Sequence, residues 1–236
     1  MKHSNHRPEP GRAAFTLIEL LVVIAIIGVL AALVFPALKA AKNAGTRSKV
    51  NAELKQLEIA IEAYKARYGF YPPDLHGASD LKVAPNQNAL NQLFYELAGI
   101  TQRGKGFSTL DDRQQADANQ AGAIRTALGV EGFMNSTKEG GGDDSKVAQK
   151  FLTGLKADQY AIVPVRNARV CLLVCSVSWP ARLGEVIPGV PEVNPWRYNS
   201  SNPTHNPKSF DLWVDVALGG KTNRISNWNK SYEFVN

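Results

Sequence analysis

The chain has 236 residues, 44% of them hydrophobic, and a formal net charge of +6. That length holds one globular domain plus a long appendage, and that composition excludes wholesale disorder. Lys and Arg are scattered, with no basic run longer than two, so the basic stripe of a nucleic-acid binder is missing and no nucleic-acid partner is expected.

Residues 1–14 read MKHSNHRPEPGRAA, a short polar leader carrying Lys2, Arg7 and Arg12 against Glu9. Phe15 to Leu38 is apolar except for Thr16 and Glu19. About 20 such residues cross a bilayer core. Positive charge ahead of a span stays cytoplasmic, so the N-terminus is expected in the cytoplasm and the remainder outside it. A secretory signal has a shorter apolar region followed by a small-residue cut site. Here Ala13–Ala14 precede the run, and a cut there leaves the whole helix on the mature chain; Ala31–Ala32 and Ala40–Ala41 are weaker sites.

Glu19 is the odd residue of the span. A charge at mid-bilayer costs about 3 kcal/mol on insertion scales, and less near the edge. It is either a functional charge that needs a partner or a carboxylate that reaches back to the headgroups.

The run Ala14-Phe15-Thr16-Leu17-Ile18-Glu19-Leu20-Leu21 closely resembles the cleavage and methylation motif of type IV prepilins and type II secretion pseudopilins. The resemblance implies that an aspartic prepilin peptidase cuts between Ala14 and Phe15 and methylates the new Phe15 amine. It makes Glu19 the family's signature glutamate, an assembly charge that pairs with the Phe15 amine of a neighbouring subunit. Pro36 also belongs to the pattern and is expected to kink or locally melt the helix. Ala14 departs from the usual glycine before the cut, which implies slower cutting.

Beyond Pro36 the pattern turns amphipathic. Val50, Leu54, Leu57, Ile61 and Tyr64 fall at steps of four and three, one helical face. Lys49, Glu53, Lys55, Glu58, Glu62 and Lys65 fill the rest. The helix is predicted to end near Tyr68, at Gly69 and Pro72–Pro73. Arg67-Tyr68-Gly69-Phe70-Tyr71-Pro72 is similar to the turn that follows this helix in the major pseudopilins, and its aromatic cluster is expected to pack at a sheet edge.

Residues 75–160 are polar, with short helices predicted at Ala89–Ala98 and Asp117–Leu128. Gly140-Gly141-Gly142-Asp143-Asp144 reads as a flexible loop. Its two aspartates stand where a phosphate loop carries Lys-Ser/Thr, so no nucleotide site is expected. Strands are predicted at Ala161–Val165, Val170–Trp179 and Phe210–Ala217, with a long loop at Asn194–Asn206. The fold class is α+β: a pilin-like long N-terminal α-helix packed on a small antiparallel β-sheet. Cys171 and Cys175 read as small buried side chains; in one strand they stand about 13 Å apart, beyond disulfide reach unless the chain folds back.

The C-terminal order Asn194-Pro195-Trp196-Arg197-Tyr198, Ser209–Trp213, Gly219–Gly220 and Ile225–Trp228 is similar to that of the major pseudopilin, whose loop binds calcium through several aspartates. Here Asp215 is the sole carboxylate between Val214 and Trp228. Asp215 and Asn223 are weak calcium candidates, since calcium takes about six to eight oxygens. The alternative is a loop held by its own hydrogen bonds, with Lys221 or Arg224 replacing the metal's charge. No other cofactor is expected. His3, His6, His76 and His205 stand apart, and no catalytic spacing emerges, so no enzyme is expected.

The segments are thus a 1–14 leader, a 15–38 transmembrane and filament-core helix, a 39–68 amphipathic half and a 69–236 exported domain. The resemblance implies a structural subunit of a membrane-rooted pseudopilus of a type II secretion system, its partners being copies of itself, minor pseudopilins, a prepilin peptidase, the inner-membrane assembly platform with its ATPase, and membrane lipid. It implies a single pass of the inner membrane with the C-terminal domain in the periplasm, then incorporation into a filament. Two readings stay open beside it. One is a pilin of an adhesion or DNA-uptake pilus. The other is a lone membrane-anchored binding domain, with Trp179, Trp196, Trp213 and Trp228 as a sugar-stacking surface.

Overall fold

A computed structural model of the chain describes residues 16–74, 89–140, 147–230 and 233–235. The leader, the Ala14–Phe15 junction, His76 and Gly141–Asp144 lie outside the described residues. The architecture is α+β and pilin-like. Two compact units make up the chain, Met1–Ala44 and Gly45–Asn236.

Helix α1 runs Leu17–Tyr68 and contains Pro36. It ends as its spacing predicts. Gly69 takes φ 84°, a left-handed conformation that costs a residue without Cβ little, and its N–H donates to the Lys65 carbonyl at 2.7 Å. Val50, Leu54, Leu57, Ile61 and Tyr64 are all buried, joined by Ala60. Glu53 is a correction: it belongs to the buried face and not to the polar one. Its carboxylate accepts from the Ser176 N–H at 3.1 Å and from the Ser176 hydroxyl, which compensates its loss of water.

Among the described residues the strands form three sheets where one was expected. Strands β1 (Ile100–Arg103), β2 (Gly106–Thr109), β3 (Gln115–Ala116) and β4 (Ser136–Lys138) are ordered β3-β2-β1-β4. The β1–β4 pair is parallel, because the chain between them crosses over through α3 (Ala118–Leu128). Strands β5 (Tyr160–Val165) and β6 (Ala168–Leu173) pair as a hairpin. Strands β7 (Arg197–Asn199), β8 (Asp211–Leu218), β9 (Lys221–Ser226) and β10 (Glu233–Val235) form an antiparallel sheet ordered β10-β9-β8-β7.

Boundaries shift at side-chain caps and where the chain changes its hydrogen-bond partner. Helix α2 is Leu93–Ala98, shorter than predicted. Asp117 is the N-cap of α3: its carboxylate accepts the Asn119 and Gln120 N–H groups at 2.9 Å, and Gln120 reciprocates. Strand β6 stops at Leu173, short of Trp179. Beyond it the Cys175 N–H bonds the Asn194 carbonyl, and the Ser176 N–H bonds Glu53. The predicted loop at Asn194–Asn206 holds β7.

One core gathers the α1 stripe, both short helices, the β5–β6 hairpin and the inner face of β7–β9. Cys171 and Cys175 lie in it as free thiols. Burial pushes the Cys175 thiol up to about 12 and Cys171 higher still, so both are inert at neutral pH.

Candidate functional site

The first candidate is the start of α1. The Thr16 N–H and hydroxyl donate to one Glu19 carboxylate oxygen at 2.8 and 2.7 Å, and the Glu19 N–H returns a bond to the Thr16 hydroxyl at 3.3 Å. This is a capping box, with Thr16 as N-cap and Glu19 three residues on. Sequence reading singled out Glu19 and passed over Thr16, although a Thr-x-x-Glu spacing before an apolar run is the signal for this arrangement. The carboxylate is thereby bonded within its own helix. From Leu17 to Leu38 every large apolar side chain is exposed, and an 18-residue window of α1 has mean hydropathy 3.1. The helix is long and apolar enough to cross a membrane.

Residues 10–35 match the family profile described as the prokaryotic N-terminal methylation motif. The chain carries a prepilin-type N-terminus. Its likeness to curated proteins lies in this N-terminal part. "Type II secretion system core protein G" of Klebsiella pneumoniae is 44% identical over 72 residues, 30% of this chain and 51% of that protein. The protein of the same name from Escherichia coli K12 is 42% identical over 71 residues, 30% of this chain and 49% of its own length. That of Vibrio cholerae is 34% identical over 74 residues, 31% and 51% of the two chains. The chain spans about half the length of the curated relatives it matches. No solved structure matches it.

With a prepilin-type motif at its start, the β8–β9 loop is the second place to look. Register decides its chemistry. Asp215 pairs with Arg224 across the ladder, and Val216 pairs with Asn223. Cross-strand partners share a face and neighbours along a strand alternate, so Asp215 and Asn223 lie on opposite faces of the sheet. Asp215 Oδ1 and Oδ2 accept from Arg224 Nε and Nη2 at 2.8 and 3.1 Å, and Arg197 Nη1 stands 3.9 Å from Oδ2. Hydrogen bonding to Asp215 holds the Arg224 guanidinium pKa above its usual value, and burial lowers that of Arg197. Asn223 Oδ1 accepts from Arg47 at 3.0 Å, and its Nδ2 donates to the Lys221 carbonyl at 3.0 Å. Two candidate ligands that face apart, each bonded to a guanidinium, do not fit a calcium ion. Among the described residues no cluster of three His, Cys, Asp or Glu side chains is gathered as a metal would need.

The tryptophans do not make one surface. Trp196 is buried in the core. Trp213 and Trp228 meet edge-on with centroids 5.6 Å apart, and the His205 ring lies flat on Trp228 at 4.0 Å. His205 is held there by Asp211, whose carboxylate accepts its Nδ1 at 3.1 Å and the backbone N–H groups of Thr204, His205 and Asn206. In the sequence His205 stands alone in a loop; the stack and the Asp211 cradle depend on the loop's return to β8.

Proposed function

We propose that this protein is a structural subunit of a membrane-rooted filament of the type II secretion pseudopilus kind, and that it is not an enzyme. The observation that carries the reading is the methylation motif at residues 10–35 on a helix apolar enough to span a bilayer. In this reading the leader is removed before Phe15, the new amine is methylated, and α1 anchors the subunit in the inner membrane, N-terminus first. The domain beyond it lies in the periplasm. Assembly moves the apolar half of α1 from lipid into a filament core, where it meets copies of itself and the minor subunits. A prepilin peptidase and an inner-membrane platform with its ATPase are the partners this route needs.

Glu19 supplies register. Bonded to Thr16 in the lone subunit, its carboxylate would exchange that contact for the Phe15 amine of a neighbour. An amine and a carboxylate paired in low dielectric cost far less than either alone, so only the stagger that joins them is tolerated. Pro36 withholds one backbone N–H from the ladder and supplies a soft point in the apolar half. At the β8–β9 loop the pair of Arg224 and Asp215 takes the place of a bound cation.

The test is intact-mass and N-terminal analysis of the chain purified from a host with a prepilin peptidase. The expected product begins at N-methyl-Phe15. A chain that keeps Met1 in that host would overturn the reading. Filaments seen by electron microscopy would then separate a polymer subunit from a lone anchored domain.

A further inference from the structure

A cleft of 420 Å³ opens between α3 and the turn of the β5–β6 hairpin, within the about 300–1,000 Å³ usual for ligand clefts. Buried Ile124 and exposed Ile162 give it apolar lining, and the exposed carboxamides of Gln115, Gln120 and Asn167 stand on its rim. No described residue lining it bears a carboxylate. Two arginines do line it, and they differ. Arg113 is spent: its guanidinium bonds the Asp111 carboxylate and, at 2.6 Å, the Leu155 carbonyl, and lies 4.7 Å from the centre of the Tyr160 ring. Arg169 is exposed, and among the described residues no hydrogen bond or ion pair engages its guanidinium.

The backbone of Arg169 is nevertheless fixed. Buried Gln114 donates to its carbonyl at 2.6 Å, and Gln114 is itself bonded by the Tyr95 hydroxyl in the core. The strand pairing of Arg169 with Pro164 adds to this. The strand holds the root of this side chain, and among the described residues no acid neutralises its guanidinium, so recruiting it for a carboxylate costs the ordering of one side chain and no broken ion pair. Carboxamides on the rim both donate and accept, which suits a peptide backbone. We propose that this cleft docks an acidic peptide segment of a partner protein, with Arg169 gripping a carboxylate and Ile124 and Ile162 taking its methylenes. The inference goes beyond the filament reading and does not rest on it.

The test uses the full chain in detergent micelles, with fluorescent hexaglutamate and hexalysine as probes in an anisotropy titration. Hexaglutamate should bind and hexalysine should not. Arg169→Ala should weaken hexaglutamate by about tenfold or more, and Arg169→Glu should abolish binding. Arg182→Ala removes another exposed arginine, one that does not line the cleft, and should change it less than about twofold, as expected when a screened surface charge is lost. Equal losses for Arg169→Ala and Arg182→Ala would show diffuse attraction and overturn the proposal. So would full competition by sodium acetate at matched carboxylate concentration, which would mean an adventitious ion only. Circular dichroism of each variant confirms that the fold is intact.

Discussion

Arg47 of α1 and Asn223 of β9, 176 positions apart, are joined by a 3.0 Å hydrogen bond from guanidinium to side-chain amide oxygen. Asn223 is fully buried, and the other end of its amide closes the β8–β9 turn through the Lys221 carbonyl. One side chain thus ties the amphipathic part of the helix to the last hairpin. Asn223→Ala should lower the unfolding free energy by about 1–3 kcal/mol, the cost of orphaning buried partners. Urea denaturation followed by tryptophan fluorescence measures it. Asn223→Asp keeps the acceptor for Arg47 and should lose less.

Asp215 faces two guanidiniums, and Arg197 is almost wholly buried. Asp215→Asn removes the counter-charge and leaves both arginines in place. The expected loss is about 3–5 kcal/mol, the usual result of breaking a buried pair from one side. Calcium chloride at millimolar concentration should leave the Tm of the unaltered protein unchanged at constant ionic strength. A rise of several degrees would show that the loop rearranges around the ion.

Glu96 is a fully buried carboxylate that accepts from the Tyr64 hydroxyl and the Met134 and Asn135 N–H groups at 2.9, 2.9 and 3.0 Å. Burial raises its pKa, and these three bonds only partly oppose that. The folded state therefore holds the proton more tightly than the unfolded chain. The contribution of Glu96 to stability is greatest below the unfolded pKa and is lost as pH rises through the folded one. Glu96→Gln removes this dependence. Its stability profile should lack a downward slope with rising pH of up to about 1.4 kcal/mol per unit. Urea titrations across the acid range would show it, and identical slopes in the two proteins would refute the assignment.

Thr16 and Glu19 separate insertion from assembly. Glu19→Val should still enter the membrane, with filament yield falling sharply in sheared preparations viewed by electron microscopy. A normal yield would sink the docking role. Thr16→Val removes the N-cap hydroxyl at a cost of about 1 kcal/mol to the helix start, and Thr16→Ser should restore it.

Much of the helix was readable before any fold was known. The stripe from Val50 to Tyr64 and the stop at Gly69 follow from spacing and backbone chemistry, and both stand in the structure. The caps at Thr16 and Asp117 were not anticipated, although each stands three residues ahead of its partner, Glu19 or Gln120, the spacing of a capping box. The first sheet was not. Its strands are two to four residues long and include Thr101, Gln102, Arg103 and Gln115, without the apolar alternation that marks a strand. The site was half legible in the same way. Glu19 was identifiable from its motif and Arg224 as a stand-in for a metal's charge, while Arg197 beside Asp215 and Arg47 on Asn223 were not.

By itself the sequence determined the apolar run, the motif at its head and the length of α1, because each is settled by a few neighbouring residues and the solvent they prefer. Tertiary structure alone decided which polar groups are buried and with whom. Glu53 meets Ser176, and Glu96 meets Tyr64, through contacts that no local pattern encodes. Asp215 and Asn223 face apart because ladder register places neighbouring positions on opposite sides of a sheet.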